Sequence, residues 1–260
     1  MAKVAWVITC LVAVFLIGPI LIIIPVAFSS SPYVEFPPPG FSLRWFEEFF
    51  TSRDWMRATG VSFRVAISTV VLSVVLGTLA SLGIQKLRGR LRLGVAGLMG
   101  VPLMVPSIAY ALGLYLFYVK FAMNGSILGL VLAHTALAIP YVVVTVTAPL
   151  STLSSNQEHA ARSLGAHPIV AFFTVVLPLI YPGVLAGALF AFLTSFDEVI
   201  VSIFVSGIRT RTLPVLMWES VENDLDPTIA AVAVLLTAMT LLSLAIVQLV
   251  QRLTSKRRFT

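Results

Sequence analysis

One cysteine, three histidines and few charges leave little material for chemistry in this 260-residue chain. Cys10 stands alone inside an apolar run, which excludes an internal disulfide or thiolate metal site. Charged side chains make up 11% of the residues against 58% hydrophobic, outside the usual balance of soluble globular domains. No Gly-x-x-x-x-Gly-Lys pattern occurs to cradle phosphates, so the chain carries no ATPase of its own. The histidines are scattered over one apolar and one polar stretch, which provides no nucleophile–base or metal constellation for an intramembrane enzyme. The formal charge of +6 comes mostly from short clusters beside apolar runs. Such clusters set membrane topology, and no nucleic-acid partner is expected.

What the chain has in abundance is hydrocarbon. A helix needs about 20 apolar residues to cross a bilayer core, and six stretches qualify: 4–28, 65–84, 93–119, 126–147, 185–207 and 228–251. Lys3 ahead of the first allows a signal-peptide reading with Ala27-Phe28-Ser29 as a loose cleavage site. The run is much longer than the roughly 7–15 residues of a signal core, so a retained helix is expected, kinked in its outer half by Pro19 and Pro25. Pro32, Pro37, Pro38 and Pro39 exclude a helix at the start of the polar segment that follows. Phe41 to Met56 reads as an amphipathic helix on the membrane surface, with Trp45 and Trp55 packed there.

Lys86, Arg88, Arg90 and Arg92 mark a cytoplasmic loop. Pro102 and Pro106 are expected to bend the third span. Glu219, Glu222, Asp224 and Asp226 lean the last outer loop toward acid, and Arg252, Lys256, Arg257 and Arg258 hold the C-terminus inside. The expected architecture is one all-α integral membrane domain over 1–260, with six transmembrane helices, both termini cytoplasmic, no soluble domain and no clear internal repeat.

The most informative polar stretch runs from Asn156 to Pro182, within an expected cytoplasmic loop over 148–179. Glu158, His159 and Arg162 are three and four apart and share one helical face, opposite Ala160, Ala161 and Leu164. Gly165 suits the left-handed C-terminal cap. A short amphipathic helix between two spans is suited to docking in a groove on a soluble partner. His159-Ala160-Ala161, three residues, Gly165, nine residues, then Val175-Val176-Leu177-Pro178 resembles the EAA loop of binding-protein-dependent ABC importer permeases. That family's pattern is Glu-Ala-Ala, three residues, Gly, nine residues, Ile-x-Leu-Pro. Here His159 stands in place of the Glu, with Glu158 one position earlier, and Val175 replaces Ile.

Two acids interrupt the fifth span, within Ser195-Phe196-Asp197-Glu198-Val199-Ile200-Val201-Ser202. A carboxylate at the centre of a membrane helix costs about 2.5–3.5 kcal/mol on insertion scales, so it should face a partner or a watery path. Counted from Pro182, Asp197 would lie about 22 Å along the helix, toward its outer end. One reading makes Asp197 and Glu198, with Phe196 beside them, a negative site on the route of a cationic solute. The other makes them a structural pair, for instance Asp197 with Arg64 or with a second subunit, and Phe196 a packing residue. His134 in the fourth span could relay protons; lacking a second histidine or facing acid at helical spacing, it reads better as a hydrogen-bonded packing residue.

The fifth-span sequence, Arg211-Thr212-Leu213-Pro214 and Asp226-Pro227-Thr228-Ile229-Ala230-Ala231 are similar to spermidine/putrescine-type permeases. The resemblance implies a type I ABC importer permease fold, with five core helices and a peripheral first helix, in the bacterial inner membrane. It implies two copies of an ATPase subunit holding ATP and Mg, a second homologous permease, a periplasmic solute-binding protein, and no cofactor on this chain. It further implies that the 156–165 helix, through Glu158, His159, Ala160, Ala161, Arg162, Leu164 and Gly165, couples to the ATPase. The expected cargo is a small cationic, polyamine-like solute. Alternatives are another small solute such as an aminoalkylphosphonate, or an ion-coupled secondary transporter using Asp197 and Glu198.

Overall fold

The computed structural model of the protein describes residues 2–152, 163, 165–223 and 226–256. The described residues are almost entirely helical, and the sole β feature among them is an isolated antiparallel bridge between Ser29 and Phe41. The helices among them are α1 Ala2–Ala27, α2 Arg44–Thr51, α3 Arg53–Lys86, α4 Gly89–Gly100, α5 Ser107–Lys120, α6 Ile127–Thr152, α7 Pro168–Phe196, α8 Ile200–Val205, α9 Leu213–Asn223 and α10 Thr228–Lys256. Five are long and apolar enough to cross a membrane, six when the bent α4–α5 segment counts as one. The chain forms two compact units, Met1–Thr59 with Val215–Leu242 and Gly60–Pro214 with Ser243–Thr260.

In the first unit, α1 is apolar all round, and Trp6 and Phe15 on it are largely exposed. That is the signature of a helix whose solvent is lipid. Its C-terminal end is buried: Val26 and Ala27 pack with Trp45, Ala230 and Ala231. The polar segment after α1 closes on itself, because Ser30 N–H donates to Gly40 O (3.0 Å) and Ser42 N–H to Phe28 O (2.7 Å). Trp45 indole N–H donates to Ser29 O at 2.9 Å, and the Arg44 guanidinium lies 4.0 Å over the Trp45 ring. The expected surface helix over 41–56 is therefore two helices, and neither tryptophan lies on a surface. Trp45 and Trp55 are both buried, Trp55 in the first turn of α3 against Phe49. Ser52, extended at ψ 125, ends α2 and restarts the chain as α3.

In the second unit, α6 and α7 pack face to face around Ala138, Val142, Val146, Leu150, Ile180 and Ala191. Glycines allow the close approach, as small residues do between membrane helices. A Cβ on Gly187 would stand 2.7 Å from Thr145 Oγ1 and 3.1 Å from Val142 Cα, and one on Gly77 of α3 would meet Val142 Cβ at 2.7 Å. At Gly183 it would run into the Thr145 carbonyl and the Pro149 ring. Pro149, four residues after Thr145, has no N–H to give that carbonyl, and Gly183 lies against it. Polar ties reinforce the contact between α3 and α6: Ser81 hydroxyl to Val143 O at 3.4 Å and Gln85 amide to Leu150 O at 2.7 Å.

The second span is a helix from Arg53, twelve residues before its expected start at 65, and two other spans depart further. The stretch 93–119 is not one gently kinked helix: Gly89–Leu103 and Ser107–Lys120 meet at 91°. Neither Pro102 nor Pro106 can donate to the helix, and Pro106 itself is extended at ψ 130. The fifth helix starts at Pro168, inside the stretch expected as loop, and ends at Phe196, so it runs for 29 residues. At 1.5 Å per residue that is about 43 Å, longer than a roughly 30 Å hydrocarbon core. Its first turns include a π-helical segment, Phe172–Val176, just before Pro178.

Candidate functional site

The fifth expected span breaks where its two acids stand. Asp197 N–H still donates to Leu193 O at 3.0 Å, closing the last turn of α7, but Asp197 itself sits at φ −95, ψ 0 and the chain leaves the helix. Glu198 and Val199 follow outside any helix, Val199 being a β-branched residue that gains little from helix continuation. The helix resumes as α8, and the Glu198 carboxylate accepts Val201 N–H at 2.9 Å. The first amides of a helix lack internal partners and favour negative charge, so Glu198 serves as the side-chain cap of α8.

The two acids thus do different jobs. Glu198 is half-buried and committed to backbone, whereas Asp197 is exposed. The suggested Asp197–Arg64 pair is absent among the described residues, where an ion pair joins Arg57 to Asp54 instead, at 3.4 Å. Asp197 also does not lie within a continuous helix, as the count from Pro182 assumed, but just past the end of one. Phe196 is buried and packs edge-on to Phe63 (5.1 Å between centroids) and stacked on Phe192 (5.3 Å). It anchors the break and presents no free ring face of a binding cage.

His134 on α6 is 1% exposed and bonded at both nitrogens, Nδ1 to Ser195 Oγ at 2.9 Å and Nε2 to Ser202 Oγ at 3.1 Å. A neutral imidazole offers one donor and one acceptor, and hydroxyls can answer either. The packing reading of this residue therefore holds. Its serine partners were not singled out from the sequence, although two hydroxyls seven residues apart, bracketing the acids in an apolar run, were a usable signal.

Of the expected coupling residues, Glu158, His159, Ala160, Ala161, Arg162 and Leu164 lie outside the described residues. Gly165 is described, and its φ of +89 is a left-handed conformation that L residues avoid. Two residues on, His167 is extended and its Nδ1 accepts Ile169 N–H at 3.4 Å, with Pro168 opening α7. Proline at the first helical position and a side-chain cap before it make a firm start for the long helix.

Membrane-length helices packed through glycines define a multi-pass membrane protein, and a helix interrupted at an exposed acid is a feature that transporters use. Residues 70–259 match the family described as binding-protein-dependent transport system inner membrane component, and the chain belongs to that family. It is 32% identical over 242 residues to the spermidine/putrescine transport system permease protein PotC of Haemophilus influenzae, covering 93% of each chain. It is 34% identical over 230 residues to the putrescine transport system permease protein PotI of Escherichia coli, covering 85% of this chain and 81% of that one. A solved bacterial ABC transporter involved in the import of the acidic polysaccharide alginate matches with a TM-score of 0.71 at 16% identity, over 96% of this chain and 95% of that one. That last likeness is one of fold. The protein is an ABC importer permease subunit, homologous to polyamine permeases.

Proposed function

We propose that this chain is one of two permease subunits of an ATP-driven importer that carries a small cationic solute of polyamine type from periplasm to cytoplasm. Two relatives named for putrescine or spermidine support the cargo class. The observation that carries the proposal is Asp197, an exposed carboxylate at a helix break, in no ion pair among the described residues. Intramembrane acids are costly, and they mark solute and ion pathways when they are not structural pairs. An ammonium group passing the break would meet that charge.

In this reading the chain lies in the bacterial inner membrane with both termini cytoplasmic. Two ATPase subunits holding ATP and Mg work below it, beside a second homologous permease, and a periplasmic binding protein delivers solute from above. Residues 156–165, the segment expected to couple to the ATPase, transmit its closure through Gly165 to the capped start of α7, and α7 carries that motion along about 43 Å to the break at Asp197.

Affinity purification from native membranes, with co-purifying subunits identified by mass spectrometry, tests the assembly. An ATPase, a second permease and a binding protein are the expected company. A lone chain that moves solute in liposomes without ATP would return the function to an ion-coupled carrier. The path assignment is tested by Asp197→Asn. The variant should assemble normally while the half-saturating concentration for putrescine uptake rises about 10- to 100-fold, the range for losing a charge-assisted hydrogen bond. Failed assembly would make Asp197 structural instead.

A further inference from the structure

We propose that His134 is a positioning residue that fastens both sides of the break in the fifth span and so holds Asp197 in place. The inference rests on Asp197 lining the solute path, the reading proposed above. Ser195 lies in the last turn of α7 and Ser202 in the first turn of α8, with Asp197, Glu198 and Val199 between them. One imidazole from α6 bonds to both hydroxyls, and all three side chains are buried.

The geometry ties the ring to the break. On an uninterrupted helix, residues seven apart are two turns, or about 10.5 Å, apart along the axis. Two hydrogen bonds and the width of one ring reach roughly 8 Å between hydroxyl oxygens. The ring spans the broken conformation as it stands, whereas an α7 that zipped through Val199 into α8 would keep both bonds only with both serine hydroxyls leaning toward the ring. A second hold acts at the same place: Phe196 is wedged between Phe63 and Phe192. Together they leave Asp197 the exposed residue of a short link whose two ends are pinned. Any buried histidine needs partners for its ring nitrogens; here the two partners stand on opposite sides of the interruption, so the same bonds that satisfy the ring also tie α7 to α8.

The test uses the whole transporter in nanodiscs, with His134→Leu, His134→Gln, Ser195→Ala and Ser202→Ala. Hydrogen exchange is followed in peptides covering 197–205, with 180–191 of α7 as the reference. The Leu variant and both serine variants should assemble and exchange roughly tenfold faster at 197–205, the equilibrium equivalent of one lost hydrogen bond, with the reference unchanged. His134→Gln, whose amide also offers a donor and an acceptor, should return exchange to within about twofold of the parent. Half-saturating putrescine should rise in the Leu variant more than maximal uptake falls.

Unchanged exchange at 197–205 in all variants would overturn the proposal. So would an equal rise at 180–191, which would make His134 a packing residue only. If His134→Leu does not accumulate, the serine variants, which keep the ring, decide by the same readout. A parent transporter that takes up no putrescine would remove the polyamine reading alone, and the exchange comparison would still judge the clamp.

Discussion

Gly165→Val should leave the protein in the membrane at parental amounts and reduce uptake at least about tenfold, because a β-branched residue at this position strains the left-handed backbone by roughly 1–2 kcal/mol or more. The space around Gly165 is open, with nothing within 4 Å of where a Cβ would stand, so the penalty is conformational and not steric. Asparagine enters the left-handed region far more readily than a β-branched residue, which makes Gly165→Asn the internal control. The Asn variant should keep most of its uptake. In the Val variant the chain would relax φ from +89 to a negative value and redirect everything upstream of His167 and Pro168, whose cap fixes the start of α7. Uptake in membrane vesicles and the amount of ATPase retained on purification are the two readouts. A Val variant that transports and retains ATPase like the parent would remove the coupling role proposed for residues 156–165.

Gly183→Leu should destabilise the protein severely. The new side chain would start inside the Thr145 carbonyl and against the Pro149 ring, both of which belong to a packed helix and cannot swing aside. Overpacking of a tight core costs about 1–3 kcal/mol or more, and here the helices themselves must separate. Loss of the α6–α7 contact would also open the cluster of Val142, Val146 and Ile180. Thermal aggregation in detergent, followed by size-exclusion chromatography, should show a marked drop in the midpoint and little surviving monodisperse protein. Gly83→Ala provides the contrast: nothing lies within 4 Å of its added Cβ, so the change should be neutral or mildly stabilising, by up to about 1 kcal/mol. A Gly183→Leu variant as stable as the parent would mean that α6 and α7 do not approach so closely.

Much of this protein was legible before its structure. Long apolar runs flanked by Lys86, Arg88, Arg90 and Arg92 can only be satisfied as membrane helices, because no other structure pairs its own backbone within one segment in lipid. The spacing from His159 through Gly165 to Pro178 marked the family, and Gly165 has the backbone conformation its place in that pattern suggests. Hydropathy was a poor guide to where helices stop. It counts hydrocarbon and is blind to the backbone, so Pro102 and Pro106 read as a kink within one span and not as a 91° turn. The extension of α7 back to Pro168 was missed for another reason: Pro168 to Val176 is almost wholly apolar, but the loop pattern that runs from His159 to Pro178 drew the boundary past it. Trp45 and Trp55 looked superficial because their neighbours are charged. Burial of Trp45 comes from Val26, Ala27 and Ala230, distant in sequence.

The candidate site divides the same way. That Asp197 and Glu198 need a special place in an apolar chain follows from their charge and the cost of burying it, which composition alone states. That Glu198 caps a helix while Asp197 stays exposed depends on where the helix breaks. The break is stabilised by groups far along the chain: the His134 ring, 61 residues before Ser195 and 68 before Ser202, and the Phe63 ring against Phe196. Local sequence determined that this is a membrane chain of the importer permease family, because solvation by lipid is a property each segment has by itself. The shape of the acid site was decided only by tertiary structure, because hydrogen bonds across helices exist only once the helices have met.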